Sequence, residues 1–110
     1  MVDDNHDAAD SLAMCLQLDG HQTLTVYSAA SALQQVAGFD PQVVLLDIGL
    51  PGMDGYEVAR RMRASKRSLR LIALSGYGQH EDKQRSVAAG FDAHLTKPVE
   101  MATLVALLRL

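Results

Sequence analysis

The chain has 110 residues, 48% of them hydrophobic and 21% charged, which is the composition of an ordinary globular domain and neither disordered nor fibrous. Its length fits a single domain over residues 1–110. Ten Lys and Arg against thirteen Asp and Glu give a net charge of −3, so direct nucleic-acid binding is not expected. No apolar run approaches the ~20 residues of a bilayer span, and no basic stretch precedes an apolar leader. The single cysteine, Cys15, excludes an internal disulfide framework and a multi-cysteine zinc site. A cytoplasmic setting without membrane contact follows as the expectation.

In chain order, Asn5 to Asp19 predicts a helix, because Ala9, Leu12, Cys15 and Leu16 recur at three- and four-residue spacing. That stripe places Cys15 in the core as a small apolar residue. Asp7 and Asp10 fall near the positive end of the helix dipole, and Gly20 can close the helix in a left-handed conformation. Thr23 to Tyr27 reads as a short strand. Ser28 is a candidate N-cap for a helix over Ala29 to Ala37, after which Gly38 and Pro41 break the chain. Val43 to Leu46 is a continuous apolar run ending on Asp47, as in a strand buried on both faces of a parallel sheet.

Leu50 to Gly55 is a loop by its Pro and Gly content, and Tyr56 to Ala64 a helix. Leu69 to Leu74 predicts a strand ending on Ser75, and His80 to Ala89 a helix closed by Gly90. Ala93 to Thr96 is a short strand before Lys97-Pro98, and Val99 to Leu110 a last helix. His6, His21 and His80 lack partners at metal-ligand spacing, and Lys66-Arg67 reads as a solvated face. Strands alternating with helices imply an α/β domain with a parallel sheet. Only Met1 and Val2 precede Asp3-Asp4, where a strand of about five residues would be usual, so the first strand is expected to be truncated or short, with an exposed sheet edge that makes dimerisation possible.

The strand ends carry the chemistry. Asp3-Asp4 follows the stub, Asp47 follows Val43 to Leu46, Ser75 follows Leu71 to Leu74 and Lys97 follows Leu95-Thr96. In a parallel sheet these ends share one edge, where α/β folds bind ligands. Three converging carboxylates call for a hard cation such as Mg2+ or Mn2+, and a carboxylate can accept a phosphoryl group as a nucleophile. Asp47, at the end of the most apolar strand, is the candidate nucleophile and phosphoacceptor. Asp3, Asp4 and Asp47, with the backbone carbonyl of Gly49, are the candidate metal ligands. Ser75 and Lys97 are placed to contact phosphoryl oxygens and offset developing charge.

These residues sit in recognisable phrases: Val2-Asp3-Asp4-Asn5, Leu45-Leu46-Asp47-Ile48-Gly49-Leu50-Pro51-Gly52-Met53-Asp54-Gly55, Leu74-Ser75-Gly76, Ala89-Gly90-Phe91-Asp92-Ala93 and Lys97-Pro98. In that order and spacing the chain resembles a two-component response-regulator receiver domain along its whole length. The resemblance implies a doubly wound five-stranded parallel sheet of order 2-1-3-4-5, the flavodoxin-like receiver fold. It implies Mg2+-dependent phosphorylation of Asp47 from a phosphohistidine donor, hence a histidine kinase or histidine phosphotransfer domain as partner. It further implies Ser75 as a switch hydroxyl, a cis bond between Lys97 and Pro98, and a signalling module rather than an enzyme. The phrase from Gly90 to Val99 is similar to receivers fused to hybrid sensor histidine kinases.

The chain departs from the family in three places. His94 stands where the family usually carries a Tyr or Phe that swings inward, and an imidazole can charge near neutrality. Tyr77 and Gly49, each two residues past a site residue, flank the attacking-water path in the family. The stub before Asp3 is expected to loosen the metal seat. Other functions fit less well. A haloacid-dehalogenase-type phosphatase needs a second Asp where Gly49 stands, a flavodoxin needs a phosphate loop rich in Ser, Thr and Gly after its first strand, and no Walker loop is present. A binding-only pseudo-receiver is opposed by the intact Asp47, Ser75 and Lys97.

Overall fold

The computed structural model describes residues 1–49, 54–65, 68–76 and 83–109. Its elements are α1 (His6–Leu18), α2 (Ala29–Phe39), β1 (Val43–Asp47), α3 (Gly55–Ser65), β2 (Arg70–Ser75), α4 (Lys83–Ala89), β3 (Ala93–Thr96) and α5 (Met101–Leu108). The expected loop residues Leu50 to Met53, and Lys66-Arg67, Tyr77 and His80, lie outside the described residues.

The strands are parallel and ordered β1-β2-β3, with Val43 opposite Arg70 and Ile72 opposite Ala93. Two isolated parallel bridges extend the sheet past β1: Val2 pairs with Leu46 on one side and Val26 on the other. The lateral order is thus Val26, Val2, β1, β2, β3, the expected 2-1-3-4-5 arrangement with its first two members reduced to bridges. The predicted strand Thr23 to Tyr27 is corrected to that one bridge among the described residues. Its neighbour toward the sheet centre is the segment Met1 to Asp3: Val26 N–H donates to Met1 O at 2.9 Å and Asp3 N–H to Val26 O at 3.2 Å.

Side chains alternate across the strands, as a pleated backbone requires. Val44, Leu46, Leu71 and Ala73 face Ala32 of α2, Val58 and Met62 of α3 and Ala89 of α4. Leu45, Ile72, Leu74 and Leu95 face Leu16 of α1 and Leu104 of α5. The sheet is therefore buried on both faces, which explains the unbroken apolar runs of β1 and β2. A cavity of about 510 Å³, lined among others by Met1, Thr23, Leu24, Val43 and Arg70, opens without contact to Asp3, Asp47 or Lys97.

Three further expectations are corrected. Cys15 is exposed. The buried stripe of α1 is Ala9, Ala13 and Leu16, and at 100° per residue Cys15 lies about 130° from its mean direction. Gly38 does not end α2, which continues to Phe39 and closes on Asp40 in a left-handed conformation (φ 53°). The last helix starts at Met101, with Glu100 in extended conformation at its N-cap.

Candidate functional site

Backbone pairing builds the site before any side chain is considered. Parallel register sets Asp47 beside Leu74 and Ser75 beside Thr96, so the C-terminal ends of β1, β2 and β3 share one edge. Asp47 N–H donates to Val2 O at 3.0 Å, and Val2 N–H to Leu45 O at 2.8 Å. Those two bonds bring Asp3 and Asp4 to the same edge as Asp47. Lys97 N–H donates to Ser75 O at 2.7 Å, which fixes the chain leaving β3 against the end of β2.

Carboxylate oxygens of Asp3, Asp4 and Asp47 lie within 4.8 Å of one another. Asp3 and Asp47 are buried, at 0% and 5% exposure, while Asp4 is exposed. The Lys97 ammonium reaches between the buried pair, donating to Asp3 Oδ2 at 2.6 Å and Asp47 Oδ2 at 2.8 Å. The remaining oxygens take backbone donors: Asn5 N–H on Asp3 Oδ1 at 3.1 Å, and Gly49 N–H on Asp47 Oδ1 at 2.7 Å.

The electrostatics follow from that wiring. Burial pushes the Asp47 carboxyl above its ordinary range, and the bonds from Lys97 and Gly49 only partly offset it. Burial acts on Asp3 too, but there the bonds from Lys97 and Asn5 prevail and hold the carboxyl below the usual range. For Lys97 burial alone would lower the pKa, and its two carboxylate partners raise it instead. The ammonium stays charged.

Other expected residues also reach this edge. Ser75 is buried at the tip of β2, and the Lys97–Pro98 peptide is cis. His94 is half-buried on β3, opposite Ala73. Tyr77 lies outside the described residues. Gly49 is present through its N–H.

Three carboxylates against one ammonium leave the cluster electron-rich, with hard oxygen donors and one exposed member open to water. That donor set fits a hard divalent cation, which takes one or two carboxylates and keeps several waters.

The chain matches the response regulator receiver domain family over residues 1–109. It belongs to that family. Receiver domains are phosphorelay signalling modules of two-component systems and generally bind Mg2+. This receiver domain is 33% identical over 111 residues to a 14.6 kDa protein of Leptolyngbya boryana, covering 99% of this chain and 85% of that one. It is 34% identical over 106 residues to the transcriptional regulatory protein PrrA of Mycobacterium tuberculosis, covering 96% of this chain but 46% of PrrA. It thus spans about half the length of that relative. The crystal structure of a CheY-like receiver domain protein from Methanospirillum hungatei superposes with a TM-score of 0.91 at 28% identity, covering 98% of this chain and 86% of the other.

Some contacts of the receiver escape a reading of its sequence. Arg85 of α4 bonds the Asp54 carboxylate and lies 4.3 Å from the centre of the Tyr56 ring, tying α4 to the start of α3. Those partners are 31 positions apart, and nothing local marks the pairing. Tyr27 stacks on His6, with ring centroids 3.7 Å apart and planes at 18°. The available signal was its position: an aromatic residue ending a strand candidate, on the edge where Asp3 and Asp4 emerge.

Proposed function

We propose that this receiver accepts a phosphoryl group on Asp47 from the phosphohistidine of a histidine kinase or histidine phosphotransfer domain. The observation that carries the reading is the convergence of Asp3, Asp4 and Asp47 within 4.8 Å, with Lys97 between two of them. In the transfer an Asp47 oxygen forms the new bond to phosphorus as the bond to the donor imidazole nitrogen breaks, and the nitrogen keeps that electron pair. Asp3, Asp4 and Asp47, with the Gly49 carbonyl, would hold Mg2+ or Mn2+; when bound, the cation supplies positive charge to the phosphoryl oxygens. Lys97 moves a hydrogen bond from Asp47 to a phosphoryl oxygen, and Ser75, at the adjacent strand end, donates to another. Positioning and electrostatics suffice for such a step.

The response would be a shift in population between two packings of the loop after Ser75 and of α4, read out on a face that includes His94. Residues 1–110 act as one domain in the cytoplasm, either as the receiver of a hybrid histidine kinase or as a stand-alone response regulator, with no nucleic-acid contact of its own and with dimerisation open. Among the described residues no helix is long and apolar enough to cross a membrane.

The test is intact-protein mass spectrometry after incubation with a small phosphodonor, with and without Mg2+, on wild type and Asp47→Ala. A phosphoryl mass gain that needs both Mg2+ and Asp47 is expected. A folded wild type that gains no mass, or an Asp47→Ala variant that still does, overturns the reading.

A further inference from the structure

We propose that Tyr27 is a positioning residue for the acidic metal seat, an inference that rests on the metal-binding reading above. Asp3, Asp4 and Asn5 form a span of three residues between the Val2 bridge and the first residue of α1. Both ends of that span are tied to two consecutive residues. At the strand end, Asp3 N–H donates to Val26 O at 3.2 Å. At the helix end, the Tyr27 ring stacks on His6 at 3.7 Å, and its hydroxyl donates to Asp10 Oδ1 at 2.7 Å.

His6 and Asp10 are four residues apart and so share one face of α1. A rigid ring that grips both fixes the rotation and the height of the helix's first turn. The Asn5 side chain, accepting from Ala8 N–H at 3.1 Å, carries that constraint to the residue after Asp4.

Asp4 is the member of the seat that needs this help. Asp3 is held by Lys97 and Asn5, and Asp47 by Lys97 and Gly49. Among the described residues the Asp4 carboxylate has no hydrogen-bond partner, and it is exposed. Its direction is therefore set by the backbone on either side of it. Val26 and Tyr27 hold that backbone from one short segment, where the sheet itself contributes only the Val2 bridges. Among the described residues Tyr27 makes no hydrogen bond to the three carboxylates of the seat; its hydroxyl donates to Asp10.

The experiment is isothermal titration of Mg2+ into wild type, Tyr27→Ala, Tyr27→Phe, His6→Ala and Asp4→Asn, with circular dichroism to establish folding. Tyr27→Ala is expected to weaken Mg2+ binding roughly tenfold, in the range typical of groups that orient ligands rather than supply them. His6→Ala should reproduce most of that loss, and Tyr27→Phe, which keeps the ring, should lose less. At saturating Mg2+ the Tyr27→Ala variant should take a phosphoryl group from a small phosphodonor at the wild-type rate, because only the seat is loosened. Unchanged Mg2+ affinity in a folded Tyr27→Ala or His6→Ala variant overturns the proposal while leaving the metal reading intact. A rate defect that persists at saturating Mg2+ overturns it as well. A wild type whose Mg2+ binding is absent, or indifferent to Asp4→Asn, overturns the metal reading and this proposal together.

Discussion

Lys97 and Asp3, 94 positions apart in sequence, are joined by an ion pair of 2.6 Å. The same ammonium neutralises Asp47, so removing it sets two buried carboxylates against each other. Lys97→Met should cost about 1–2 kcal/mol in urea unfolding, less than a fully buried pair because the Lys97 side chain is 25% exposed. Phosphoryl acceptance should fall by at least about tenfold, as when one preorganised donor is lost. Unchanged unfolding and unchanged transfer would remove Lys97 from the site.

Asp47→Asn should act in opposite directions with and without metal. Burial already raises the Asp47 carboxyl, so replacing the charge with an amide should raise the melting temperature in metal-free buffer. Wild type at about one hundred times its Mg2+ dissociation constant should gain about 2.7 kcal/mol. The variant should lose most of that gain. Thermal melts with and without Mg2+ measure both effects.

Acid stability separates the two buried carboxylates. The Asp3 pKa is depressed from an ordinary value near 3.8. Its stabilisation is therefore fully present above that value and is lost as pH falls through the folded one. Asp47 is raised, so protonation favours the fold and its effect has the opposite sign. As pH falls, stability measured by urea denaturation should decline less steeply for Asp3→Asn than for wild type below the ordinary value of 3.8, and more steeply for Asp47→Asn above it. Equal slopes in all three would contradict the assignment.

Much of this arrangement was legible because it depends on local chemistry repeated at strand ends. Val43 to Leu46 reads as a strand covered on both faces, and that places Asp47 at the edge. The same logic located Ser75 and Lys97 within a residue of their observed positions. Cys15 shares i,i+3 spacing with Leu12, but its angle to Ala9, Ala13 and Leu16 together turns it away from the core. Thr23 to Tyr27 has strand composition, but a ladder needs a partner, and among the described residues its neighbour Val2 forms isolated bridges instead. The Arg85–Tyr56 contact has no local signal and the Tyr27–His6 stack only the position of Tyr27 at a strand end, since each contact joins residues whose proximity is created by the assembled fold.

Two glycines give contrasting expectations. A Cβ on Gly55 would stand 2.6 Å from Ile48 Cα, a backbone atom directly after Asp47. Gly55→Ala should therefore destabilise by about 1–3 kcal/mol through forced backbone movement, and slow phosphorylation by displacing Asp47. A Cβ on Gly38 meets nothing within 4 Å, and the residue is helical. Gly38→Ala should stabilise by about 0.5–1 kcal/mol. Chemical denaturation of both variants tests the pair.

The Val2 bridges couple phosphoacceptor chemistry to fraying. The Asp47 amide proton is held by Val2 O at 3.0 Å, and Val2 belongs to no regular strand. When Met1 to Asp3 peels from the sheet, that proton becomes available to solvent and Asp3 leaves the acidic cluster in the same event. Amide hydrogen exchange at Asp47 is thus a direct clock for the opening of the seat. A cation that binds only the closed form slows that clock in proportion to its occupancy, so metal affinity and edge breathing are two readings of one equilibrium.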